Sequence, residues 1–275
     1  MKKITLITTV FVIFFSQFYF VQASECLNCV AIYGDSHDND LVHKEICDAI
    51  AKFQPVVVFH AGDLVANTLD QHDWDNFNAA TSLMREKAEF YPVFGNRETE
   101  PEVFFKQFPH LKNKHYYTVQ RSGIYFILLD SNLNFKKGSL QYRWLESELE
   151  NARLSAKPVI VVLHHPVFSA GEGYLENNGL KDSLLSLFEK YKVKAVFSGH
   201  EHNYQRFFHN NVYYIITGGG GAPFTGKLFV GDKDNQKFIK AHHFCMLSVM
   251  GNQLKVDVYS PDLKVLDSFT VSLQP

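Results

Sequence analysis

Short apolar runs alternate with longer amphipathic stretches along most of the chain. Residues 30–33, 56–59, 90–94, 159–163 and 195–197 are nearly continuous in apolar side chains, and each run closes on a polar turn. Uninterrupted runs of this kind predict strands covered on both faces. Between the first two, Leu41, Glu45-Ile46 and Ile50 recur at helical spacing and predict a helix over 41–53, with Asp40 as its N-cap. Further helices are expected over 73–87, 139–153 and 180–191. In the helix at 139–153, Leu140, Trp144, Leu145 and Leu149 share one side, opposite Glu146 and Glu150. Residues 116–119 and 124–129, split by Arg121-Ser122-Gly123, predict a hairpin. From residue 204 onward alternation and turns dominate, with strands at 213–217 and across 246–273. Strand–helix alternation followed by β-rich sequence argues for an α/β fold, a layered αββα sandwich of mixed sheets with an active site at the C-terminal ends of strands.

Residues 1–23 stand apart from this pattern. Lys2 and Lys3 precede a mostly apolar run, and Val21-Gln22-Ala23 fits a small-x-small cleavage site, the layout of a secretory signal peptide. The run is also about long enough to span a bilayer as an uncleaved anchor. Cleavage after Ala23 leaves 24–275, without a Pro/Gly/Ser-rich linker, as a single domain in a secreted or periplasmic (extracytoplasmic) compartment, with no stable membrane insertion. The formal charge falls from −2 to −4 once the two lysines are lost. Such a balance carries no nucleic-acid-binding patch as an electrostatic footprint. Export permits disulfides, so Cys47 and Cys245 are either small core residues or bridge partners; Cys26 and Cys29 form a lone CxxC, too little for a zinc knuckle.

The chemistry-bearing residues follow the apolar runs. Asp35 with His37, Asp63, Asn96, His164, and His200 with His202 each come just after the last apolar residue of an expected strand. Gly-Asp and Gly-Asn are common turn dipeptides, so one such end means little. Five in register place Asp, Asn and His along one edge. Imidazoles with carboxylates suit Fe, Zn or Mn better than Mg or Ca. Four His, two Asp and one Asn exceed one tetrahedral ion and suffice for two divalent or mixed-valence ions, which clamp the attacking and leaving oxygens of an in-line displacement. Two carboxylates leave such a pair net positive, and so attractive to a phosphate anion. His165, His242 and His243 could reach a substrate, but strand or loop packing is the favoured reading; Glu172 either faces substrate or is solvated. His60 ends a strand and suits a supporting place. Gly218 to Gly221 lack the Lys-Ser/Thr of a P-loop and read as a flexible turn.

In order, Asp35-Ser36-His37, Gly62-Asp63-Leu64-Val65, Gly95-Asn96-Arg97-Glu98, His164 and Gly199-His200-Glu201-His202 resemble the five motifs of the calcineurin-like metallophosphoesterases, in their purple-acid-phosphatase-like branch. The resemblance spans about 30–221. It implies that Asp35, His37 and His202 hold a first metal, that Asp63 bridges, and that Asn96, His164 and His200 hold a second. It prefers His164, two residues before Pro166, over His165, which is left to contact substrate. It implies hydrolysis of phosphate mono- or diesters, either small molecules or phosphoproteins, by a water that the ions acidify.

Two positions depart from that pattern. Ala66 stands where purple members carry a metal-bound Tyr, which removes the charge-transfer chromophore. Arg97 stands where the family has a catalytic His. Arginine cannot give up its proton but clamps phosphate in bidentate fashion, so Arg97 is expected to stabilise transition-state charge. The alternative is a catalytically weakened surface or secreted protein that still binds metal.

Overall fold

The computed structural model describes residues 28–171, 179–225 and 234–274. The expected signal segment, Cys26 and Glu172 lie outside them. Two sheets pack face to face. The first has six strands in the order β13-β12-β11-β1-β2-β3: β1 (Val30–Tyr33), β2 (Val57–His60), β3 (Glu89–Pro92), β11 (Phe244–Met250), β12 (Gln253–Tyr259) and β13 (Val265–Ser272). The second has seven in the order β10-β8-β9-β7-β6-β5-β4: β4 (Tyr117–Arg121), β5 (Ile124–Leu128), β6 (Val159–Val162), β7 (Ala195–Ser198), β8 (Tyr204–His209), β9 (Val212–Thr217) and β10 (Asn235–Ile239). Both sheets are mixed. β1, β2 and β3 run parallel while β11 pairs antiparallel to β1, and β5, β6, β7 and β9 run parallel beside antiparallel β4 and β8.

Period-two alternation sorts β5 between two layers. Ile124, Phe126 and Leu128 join the core shared with the first sheet, where Phe126 and Phe59 rings lie 4.5 Å apart. Tyr125 and Ile127 turn outward to the cluster containing Leu145 and Leu149 of α4 (Leu140–Leu154) and Leu184, Leu187 and Phe188 of α5 (Leu180–Lys190). On the other side, α1 (Asp40–Phe53) and α2 (Gln71–Arg85) bury Ile46, Ile50, Trp74, Phe77 and Met84 against the first sheet. The four layers are those the hydrophobic pattern predicts.

Local details differ. Asn39, not Asp40, caps α1: its side chain accepts the Val42 N–H at 3.3 Å, while Asp40 opens the helix and takes a bond from Asn76. Leu41 and Leu140, expected on apolar faces, are exposed in the first turns of their helices. A short helix α3 (Pro101–Gln107) and a 3-10 turn (Pro109–Leu111) fill a stretch for which no element is expected. Cys47 and Cys245 are buried free thiols, which decides between the two readings in favour of core residues. Among the described residues no helix is long and apolar enough to cross a membrane.

Candidate metal centre

β1, β2 and β3 are neighbours in one sheet and β6 and β7 in the other, so the loops after all five share one end of the sandwich. Backbone bonds fasten these loops: Asp35 N–H donates to Gly62 O (3.0 Å), Ser36 N–H to Asp63 O (3.1 Å) and Gly199 N–H to His164 O (3.0 Å). Two bonds cross between the sheets. His164 Nδ1 meets Ala61 O at 2.8 Å, and the His200 N–H is 3.0 Å from both Asp35 carboxylate oxygens. Two glycines allow this closeness. A Cβ at Gly62 (φ +90°) would fall 2.7 Å from His164 Nδ1, and one at Gly95 would fall 2.2 Å from Asp63 Oδ1.

All seven expected ligands converge. Asp35, His37 and His202 each offer an atom within 4.8 Å of the others, as do Asp35, Asp63 and His164. His164 Nε2 and His200 Nδ1 both lie 2.9 Å from Asn96 Oδ1. His165 falls beside this second group, with its ring 4.6 Å from that of His200, and also meets the distance condition with His164 and His200. Its Nδ1 is 2.8 Å from Ser131 Oγ, which also accepts the His165 N–H.

Carboxylates and imidazoles crowd one buried pocket. Asp35, Asp63 and Glu98 are nearly sealed from solvent in one pocket. Burial and then the charge of Asp63 push Asp35 well above the ordinary carboxylate range. Burial also pushes Asp63 upward, but His164, the Arg97 N–H, His37 and the Arg97 guanidinium together hold it below. Burial lowers His164 to about 4 and His165 to about 3, so both rings are neutral near pH 7. With its Nδ1–H given to Ala61 O, His164 points a bare Nε2 lone pair at Asp63 Oδ1, 3.4 Å away. His37 repeats the arrangement: Nδ1 meets Asp38 at 2.6 Å, and buried Nε2 has no hydrogen-bond partner 4.0 Å from Asp63 Oδ2. Lone pairs facing carboxylates across such gaps fit a bound cation between them. The donor set is that of Fe, Zn or Mn.

Arg97 occupies the rim on the His37 side. Its Nη1 donates to Ala66 O (3.2 Å), so the two departures from the family pattern touch each other. Its Nε lies 3.6 Å from Asp63 Oδ2 and its Nη2 3.6 Å from Asp38 Oδ2. Sequence reasoning passed over two residues here. Asp38 fixes the His37 ring, and the only signal is its place directly after the Asp-x-His. Glu98 is quoted within a motif yet acts on backbone, accepting N–H bonds from Asp63 (2.9 Å), Leu64 (2.9 Å) and Gly95 (2.7 Å). Burial, then the Asp63 charge, push it up to about 8 against those bonds.

Other expectations are corrected. Gly218 to Gly221 form no flexible turn: Gly220 N–H donates to Gly34 O, and a Cβ at Gly218 would meet Glu201 O at 2.2 Å. His243 is fully buried with its Nδ1 2.9 Å from Ala241 O, in keeping with the packing reading. His60 does support the site, its Nε2 3.1 Å from Ser36 Oγ. A cavity of about 300 Å³ at the opposite end, lined by Arg153, Lys157, Lys190, Lys192 and Lys194, lacks this convergence. Arg153 there holds Glu150, Lys157 holds Gln120 and Lys194 holds the Gln274 carbonyl, as suits cations near helix C-termini.

Residues 30–204 match the calcineurin-like phosphoesterase family, and the chain belongs to it. It is 28% identical to purple acid phosphatase 1 of Ipomoea batatas over 232 residues, 74% of this chain and 49% of that protein. It is 29% identical to probable purple acid phosphatase 20 of Arabidopsis thaliana over 207 residues, 65% and 48% of the two chains. The chain thus spans about half the length of these relatives. Among solved structures, purple acid phosphatase PPD1 from yellow lupin superposes with a TM-score of 0.78 at 19% identity, over 92% of this chain and 55% of that one. GAP50, described as the anchor in the inner membrane complex of Plasmodium, gives 0.71 at 18% identity over 91% and 90%. At such identities the likeness is one of fold.

Proposed function

We propose that the protein is an exported phosphoesterase that hydrolyses phosphate mono- or diesters with two metal ions. Asp35, His37 and His202 hold one ion, Asn96, His164 and His200 the other, and Asp63 lies between them. The observation carrying this reading is the pair of ring nitrogens, His37 Nε2 and His164 Nε2, that face opposite oxygens of the Asp63 carboxylate at 4.0 Å and 3.4 Å. Bound divalent or mixed-valence ions would neutralise phosphate charge and lower the pKa of a water from 15.7 to about 7, making it a nucleophile.

The chain's own residues orient and clamp. Ala61 O fixes the His164 tautomer, and Asp38 fixes that of His37. Glu98 holds the turns that carry Asp63 and Asn96. Arg97, a third exposed, is placed to grip a phosphate oxygen, and His165 to hydrogen-bond the same group. No side chain in this arrangement supplies the family's acid, so esters with good leaving groups are the expected substrates, whether small molecules or phosphoproteins. The relatives named as purple acid phosphatases support phosphate-ester chemistry, and a match to a phosphoenolpyruvate phosphatase of Allium cepa, 33% identical over 47% of this chain and 29% of that one, agrees. Ala66 removes the tyrosinate, so the iron-loaded protein is not expected to be purple.

Metal content and aryl-phosphate turnover test the reading. Two ions in the wild type, with turnover falling at least about 1,000-fold in Asp63→Asn, support it. Full activity in Asp63→Asn ends it. The second reading, a weakened protein that keeps the metals, rests on Arg97 and on the sharing of the fold with a Plasmodium protein described as an anchor. Under it, Arg97→His raises turnover by orders of magnitude from an undetectable baseline; under the favoured reading, turnover drops. Export is tested by sequencing the N-terminus of the secreted protein, which is expected to begin at Ser24.

A further inference from the structure

Asp63 offers its two oxygens to two different neighbourhoods. Oδ1 accepts the Arg97 backbone N–H at 2.9 Å and faces His164 Nε2 at 3.4 Å. Oδ2 faces His37 Nε2 at 4.0 Å and the Arg97 Nε at 3.6 Å. On the two-metal reading, Asp35, His37 and His202 would hold an ion on the side that Asp63 Oδ2 faces, and that oxygen already faces a guanidinium. The same guanidinium lies 3.6 Å from Asp38, the carboxylate that holds His37 Nδ1 at 2.6 Å. One fixed cation therefore sits against both carboxylates on the side of one prospective ion, and the Asn96–His164–His200 group lies on the other side of Asp63.

We infer that Arg97 selectively weakens cation binding at the Asp35–His37–His202 group by competing for Asp63 Oδ2, and that an ion entering there releases the guanidinium toward the substrate phosphate. The charge argument follows from residue type. A histidine at position 97 sheds its proton when a divalent ion arrives, whereas a guanidinium stays charged at every working pH. Repulsion at such separations is large wherever water is partly excluded. The geometry also permits release. Arg97 has one side-chain hydrogen bond, to Ala66 O, and its two ion pairs at 3.6 Å are longer than hydrogen bonds. Its side chain is 34% exposed, so it has room to move. Metal loading and phosphate capture thus become coupled through one side chain: the ion that occupies the His37 side frees the clamp that the substrate uses.

This inference rests on the proposed two-metal function, and calorimetric titration of Zn²⁺ into metal-free protein separates the two. The binding event lost in His202→Ala marks the His37 side, and the event lost in His200→Ala marks the other. Arg97→Met is expected to tighten the first event by about tenfold or more, about 1.4 kcal/mol, while leaving the second within about twofold. Arg97→Lys keeps the charge and is expected to leave the first Zn²⁺ event as weak as in the wild type, which distinguishes charge from packing. Loading the wild type with Zn²⁺ should tighten inorganic phosphate more than the same loading does in Arg97→Met. The inference is overturned if Arg97→Met leaves both events unchanged or tightens both alike, even when the wild type binds two ions. Wild type that binds no Zn²⁺ at all ends the two-metal reading itself and this inference with it.

Discussion

Around His164, polar side chains are tied to backbone: His164 to Ala61 O, Asp35 to the His200 N–H and Glu98 to three N–H groups, all at 4% exposure or less. Around Arg97 the ties are looser: two ion pairs at 3.6 Å and one bond to the Ala66 carbonyl, with Arg97 and Asp38 side chains 34% and 40% exposed. The sealed half is set by the strands and their turns, so it forms with the fold. The open half depends on residues that are free to differ without disturbing a strand. Both departures from the family pattern, Ala66 and Arg97, fall in the open half and touch. Divergence has gone where the scaffold tolerates it.

This contrast can be broken by substitution. The largest loss of stability is expected in the sealed half. Glu98→Ala strands the buried N–H groups of Asp63, Leu64 and Gly95, at a cost of about 3 kcal/mol or more, read from denaturant unfolding of the metal-free protein. No stability change there would show that the turns hold themselves.

The rigid floor behind β1 is next. Burial holds His43 neutral down to about 3 and His243 down to about 4, against an ordinary value of 6.5. The unfolded chain takes up protons that these rings refuse, so their contribution is intact above pH 6.5 and is lost as pH falls toward the folded values. Each is expected to remove about 2–3 kcal/mol of stability by pH 4. His43→Gln should flatten the acid side of a stability–pH profile by about 1.4 kcal/mol per pH unit.

The open half should answer in function rather than stability. Arg97→Met is expected to lower kcat/KM for an aryl phosphate by about 10–100-fold, with the melting profile nearly unchanged. Asp38→Asn frees one side of the His37 ring, and metal affinity is expected to weaken by about tenfold. The smallest effect belongs to Leu41→Ala, an exposed position, where stability should shift by no more than about 0.5 kcal/mol. A large loss at Leu41 would mean that the exposed rim is packed against something in solution.

The divide also governs what the sequence discloses. Asp35, Asp63, Asn96, His164, His200 and His202 are legible because strands buried on both faces are solidly apolar and end sharply at a polar turn. The supports are not. Asp38 and Ser131 act through side-chain geometry that linear spacing does not encode, and Glu98 binds backbone 35 residues away at Asp63. Asn39 and Asp40 are both good cap residues, and only the three-dimensional position of Asn76 recruits the second away. At seven residues, α3 is too short for a period to emerge. The C-terminal strands are visible as strands, but their sheet is not: β11 pairs with β1 more than 200 residues earlier, a long-range choice made by the core.

Asp35, Asp63 and His200 have φ of 58°, 55° and 71°, in the left-handed region that side chains usually avoid. Each such backbone costs on the order of 1 kcal/mol. Glycine would relax the turn at any of the three, but at Asp35 and Asp63 it would also strand the His200 and Arg97 N–H groups that those carboxylates accept. Three of the side chains that converge on the proposed metal centre thus stand on backbone that their own residue types disfavour.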